Sequence, residues 1–71
     1  MERTYVESSA LVSIGFDSST STLEIEFKGS GQLWQYRDVP EYVWYEFCAA
    51  PSAGKYFNAN IKNQYVGTRI G

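Results

Sequence analysis

Thr22-Leu23-Glu24-Ile25-Glu26-Phe27 alternates apolar and acidic side chains. A period of two is that of a β-strand with one face buried and the other in water. Leu23, Ile25 and Phe27 take the buried side. Glu24 and Glu26 take the wet one, because an unpaired carboxylate is costly to bury. Upstream, Val12, Ile14 and Phe16 alternate with Ser13, Gly15 and Asp17 in the same way. The intervening Asp17-Ser18-Ser19-Thr20-Ser21 is a loop whose short polar side chains compete for backbone hydrogen bonds. Downstream, Gly29-Ser30-Gly31 suits a hairpin turn with positive-φ positions and leads to a third strand over residues 32–36. Links this short favour an antiparallel meander, since a parallel pair needs a long crossover.

The period then changes. Asp38-Val39-Pro40-Glu41 reads as a helix start, with Asp38 as cap, Pro40 at the first helical position and Glu41 at the positive end of the dipole. Val43, Phe47 and Ala50 form one stripe, flanked by Trp44 and Cys48, and that stripe is predicted to cover the apolar side of the sheet. Pro51 ends the helix. Ser52 caps a second one over residues 53 to about 61, with Phe57 and Ile61 on a shared face and Tyr65 a turn further on. Val66, Thr68 and Ile70 alternate, so the tail is either a short returning strand or an extended cap. The expected fold is α+β: a small three-stranded antiparallel sheet followed by one or two packed helices, the tail available as a short C-terminal strand, in a single domain over residues 1–71.

With 71 residues the core is thin, and the 17% aromatic content compensates, since each ring removes about 150–250 Å² from water. The chain has no histidine and one cysteine, Cys48. That excludes a disulfide framework and a cysteine-based metal cluster, and removes the commonest general base near neutral pH. Cys48 reads as a small buried hydrophobe, and Glu24 with Glu26 as the polar side of a strand rather than an acid–base pair. No catalysis, cofactor or metal is expected. No apolar run of about 20 residues is present, so no membrane association is expected and a cytoplasmic location follows. The net charge of −2 is unevenly spread. Residues 1–50 hold eight acids and three bases, whereas residues 51–71 hold Lys55, Lys62 and Arg69 with no acid.

Val6-Glu7-Ser8-Ser9, Ile14-Gly15-Phe16-Asp17, the strand of residues 22–27, Val39-Pro40, Ser52-Ala53-Gly54-Lys55-Tyr56-Phe57-Asn58 and the closing Tyr65 with Arg69-Ile70 resemble the KTSC domain. That small domain is found at the C-terminus of some lysyl-tRNA synthetases and alone in bacterial proteins. The resemblance covers nearly the whole chain. Where the family usually carries Tyr-x-Tyr, this chain has Trp34-Gln35-Tyr36, which keeps a flat ring but exchanges a hydroxyl for an indole N–H. The resemblance implies an accessory, tRNA-related RNA-binding role.

Trp34 and Tyr36 share one strand face, where they either pack under the helix stripe or stack unpaired bases. Ser52, Lys55 and Asn58 gather at a helix start that attracts anions, and Gly54 lets a backbone approach closely. Arg37, Tyr56, Lys62 and Arg69 complete the set of candidate nucleic-acid contacts. The leading expectation is a non-enzymatic module binding tRNA or single-stranded RNA. The alternative is a protein-interaction or structural domain without nucleic acid.

Overall fold

The computed structural model describes residues 2–71. The sheet is a meander of five antiparallel strands, each beside its sequence neighbour: β1 (Glu2–Tyr5), β2 (Leu11–Asp17), β3 (Thr22–Phe27), β4 (Leu33–Tyr36) and β5 (Gly67–Arg69). Helices α1 (Glu41–Ala49) and α2 (Ala53–Asn60) fall between β4 and β5.

The alternating pattern finds β2, β3 and β4, but five strands replace the three expected. β1 is missed because all four of its residues are exposed, so it carries no apolar period. It is held by pairing Glu2–Tyr5 against Phe16–Ser13, with the Arg3 guanidinium in an ion pair with Glu24 and a 2.6 Å hydrogen bond to Ser13 Oγ. Of the two readings of the tail, the strand is realised: Gly67, Thr68 and Arg69 pair with Tyr36, Gln35 and Trp34.

The face of β2 also needs correction. The register shifts between Leu11, opposite Phe27, and Ser13, opposite Glu26. Val12 is the extra residue of a β-bulge, which reverses the alternation on either side of it. Leu11 therefore joins Ile14 and Phe16 in the core, and Val12 is only half-buried.

Both helices lie on one face of the sheet. Val43, Trp44 and Phe47 of α1 and Ala53 and Phe57 of α2 pack with Ile14, Phe16, Leu23, Ile25 and Tyr36 in one core. The Phe16 and Trp44 rings stack at 5.8 Å. The opposite face is polar, with Ser13 donating to Glu26 and Gln35 to Glu24.

Helix starts follow the sequence in one case and depart in the other. Ser52 Oγ accepts from the Lys55 amide at 3.3 Å, capping α2. At α1, Pro40 itself occupies the cap position without a side-chain bond. Asp38 is not the cap, because it sits in a left-handed turn at φ 60° two residues earlier. That turn points Val39 into the core, where its amide donates to Ser21 O. Cys48 is exposed rather than buried. It lies near Thr4 and Glu2 of the exposed edge strand β1.

Candidate nucleic-acid interface

The Trp34 and Tyr36 side chains emerge on the helical side of β4, two residues apart, and stack at 6.5 Å with 23° between their planes. The two rings differ in burial. Tyr36 is buried, edge-on to Phe57 at 5.7 Å, and burial pushes its phenol pKa up. Trp34 is half-buried, its Nε1 donating to Gln32 Oε1 at 3.1 Å.

The close approach of β5 makes this arrangement fit. Gly67 faces Tyr36 across the strand pair, and a Cβ there would lie 2.4 Å from Tyr36 Cε2. The ring thus lies directly against the Gly67 backbone. Arg69 is the cross-strand partner of Trp34 and shares its face. Its Nε donates to Gly71 O.

Between this ring pair, the β3–β4 turn and α2 opens a cleft of about 650 Å³. Its floor is Trp34, Tyr36 and Phe57, and its walls carry Lys28, Gln32, Asn58, Lys62 and Asn63. Among the described residues, Lys28 and Lys62 are the charged ones lining it. The Lys28 ammonium donates to Ser8 O at 2.7 Å, which ties the loop before β2 to the cleft rim without neutralising the charge.

The carboxylates lie elsewhere. Glu24 and Glu26 are engaged on the polar face of the sheet. Glu2, Asp17 and Glu41 line a separate hollow of about 170 Å³. There Asp17 Oδ1 accepts from the Ser19 hydroxyl and amide, which holds its pKa below the usual value. Glu46 accepts from Tyr56 Oη. A chain of net charge −2 thereby presents a cleft whose charged lining, among the described residues, is cationic.

Of the residues singled out from sequence, the fold brings Trp34, Tyr36, Asn58 and Lys62 into this cleft, with Gly54 also in its lining and Arg69 beside Trp34. The other four lie outside it. Arg37 is exposed and donates to Gln35, whose own amide reaches Glu24 on the far side of the sheet. Ser52 spends its hydroxyl on the cap. Lys55 is exposed on α2 away from the lining. Tyr56 stacks on Phe47 at 5.2 Å, and burial together with its hydrogen bond to Glu46 pushes its pKa up to about 12.

Sequence reasoning misses Lys28, Gln32, Phe57 and Asn63 as site residues. Lys28 and Gln32 flank Gly29-Ser30-Gly31, so their nearness to each other is legible, but the approach of α2 to that turn is not. Among the described residues, no group of three or more His, Cys, Asp or Glu could hold a metal ion. The Cys48 thiol pKa is pushed up by desolvation first, and also by Glu2, away from nucleophilic use. No described helix is long and apolar enough to cross a membrane.

These features define a small α+β domain: a meander sheet covered by two helices on one face, with a ring-floored cationic cleft between its third hairpin and α2. The KTSC domain family matches residues 7–65, and the chain belongs to that family. It is 38% identical to a KTSC domain protein from Yersinia pestis whose crystal structure superimposes with a TM-score of 0.92, covering 99% of this chain and 97% of that one. It is 40% identical over 65 residues to an uncharacterised protein of Stutzerimonas stutzeri, covering 92% of this chain and 90% of that protein. It is also 37% identical over 59 residues to a lysine–tRNA ligase of Nostoc punctiforme. That match takes in 83% of this chain but only 10% of the ligase.

Proposed function

We propose that this domain is an accessory, non-enzymatic module that holds an unpaired stretch of RNA in the cleft between the β3–β4 hairpin and α2. The observation that carries this reading is the charge segregation. In an acidic chain, the aromatic cleft is lined by lysines and, among the described residues, by no carboxylate. A base stacks on Trp34, while Lys28, Lys62 and Arg69 meet phosphates. The matching segment within a lysine–tRNA ligase supports an RNA setting.

Three cations give modest, salt-sensitive binding, with log K falling against log salt at a slope of about −2 for single strands. A fluorescence titration with single-stranded and tRNA-like RNA at low salt is the test. Trp34→Ala is expected to weaken binding by about 1–3 kcal/mol per stacked base. Lys62→Ala is expected to flatten the salt slope by about 0.7. An absence of binding at micromolar protein, with no response to salt, refutes the proposal.

A second reading, docking onto another protein, draws on Tyr42 and Tyr45, which α1 leaves exposed on the side away from the sheet. If it holds in place of the first, Tyr42→Ala abolishes association with a partner while Trp34→Ala does not.

A further inference from the structure

The indole of Trp34 restricts the chemistry that the cleft offers to a base. An indole nitrogen can only donate a hydrogen bond, so the side-chain amide of Gln32 must turn its oxygen toward Trp34 Nε1, as the 3.1 Å contact shows. The amide nitrogen then finds no acceptor among the described residues, and on this cleft-lining residue it is a pure donor. The backbone of Gln32 is held on both sides: its carbonyl accepts from the Phe27 amide at 2.9 Å, and its amide donates to Ser30 Oγ at 3.4 Å. A donor fixed this way is preorganised, and it sits beside the ring on which a base would lie.

Resting on the RNA reading above, we propose that Gln32 is a specificity-determining residue that, between the pyrimidines, selects the base presenting a carbonyl acceptor over the one presenting an amino group. On the edge away from the sugar, uracil carries the O4 acceptor where cytosine carries the N4 amino donor, whereas guanine and adenine both carry the N7 acceptor and are separated less. The Gln32 amide nitrogen satisfies uracil O4 and meets donor against donor at cytosine N4. The neighbouring Lys28 and Lys62 ammoniums are also donors alone, so they reinforce the same selection.

Uridine and cytidine homopolymers separate this edge from stacking, because both rings are pyrimidines. With labelled oligonucleotides at low salt, the uridine polymer binds the native protein about three- to tenfold tighter, the range of one net hydrogen bond. Gln32→Leu removes the donor and brings the ratio to about one. Gln32→Glu keeps an oxygen for the indole but places a second acceptor in the cleft, so the ratio inverts in favour of cytidine. A merely structural role for Gln32 cannot produce that inversion. Trp34→Phe keeps a ring but frees the amide to turn, so binding weakens and the preference is lost. If both polymers bind the native protein equally, or if the preference survives in all three variants, the role of Gln32 is overturned and the RNA reading stands. If neither polymer binds, both fall.

Discussion

Gly67→Ala adds one carbon where the structure leaves no room. An ideal Cβ at position 67 lies 2.4, 2.9 and 3.0 Å from Tyr36 Cε2, Cζ and Cδ2. The ring cannot swing clear easily, because Phe57 meets it edge-on on one side and Trp34 stacks on another. Relief must come from β5 lifting away from β4 or from the aromatic trio repacking. Overpacking of this kind costs about 1–3 kcal/mol, and for a domain of this size each kcal/mol lowers Tm by about 4–8 °C. The midpoint is therefore expected to fall by about 4–24 °C in a thermal melt followed by circular dichroism. β5 is a short edge strand whose neighbours still bond to β4 through Ile70 N to Leu33 O and Arg37 N to Val66 O, so the lower half of that range is favoured.

A double-mutant cycle isolates the contact. Tyr36→Leu empties the space that the new methyl needs, so Gly67→Ala in that background is expected to cost less than in the native chain, with a coupling of at least about 0.5 kcal/mol. Thr68→Ala, on the exposed neighbouring position, serves as the control for general weakening of β5. A Gly67→Ala melt indistinguishable from the native one, or strict additivity with Tyr36→Leu, refutes the close ring–backbone approach on which the shape of the cleft depends.

Phe47→Ala removes a ring that is 1% exposed and stacked on Tyr56. It is expected to cost about 3–5 kcal/mol by denaturant titration, and a near-native midpoint would contradict the placement of α1. The Tyr56 pKa, raised from 10.0 to about 12, favours the neutral phenol in the folded state. The unfolded chain ionises first as pH rises, so it holds fewer protons than the native one, and stability declines between about pH 10 and 12. Ultraviolet titration should show a late phenolate step that Tyr56→Phe removes. Arg3→Ala breaks the guanidinium contacts to Glu24 and Ser13. It is expected to speed amide exchange in β1 selectively while costing about 1 kcal/mol or less overall, as for a partly exposed pair.

Much of this architecture is written in local pattern. The alternation of Leu23, Ile25 and Phe27 with glutamates identifies β3 and its two faces, since a strand's side-chain period is set by its backbone. The spacing of Val43 and Phe47 identifies the buried side of α1, and Ser52 its successor's cap, because both depend only on residues within a turn or two. β1 was not legible, since a fully exposed edge has no apolar period, and neither was the bulge at Val12, which exists only as a mismatch with the length of β3.

The cleft belongs to the same second category. Trp34 and Tyr36 were visible as a pair, but they become the floor of a cleft only because α2 sets Phe57 against the Tyr36 ring and β5 sets Gly67 beside it. Lys28 and Lys62 are 34 positions apart in a chain that has more acids than bases. Composition therefore points to an anionic protein, and folding produces a cationic cleft. Local order comes from short-range periodicity. The grouping of charges comes from which distant surfaces the core forces together, and no segment of the chain carries that information alone.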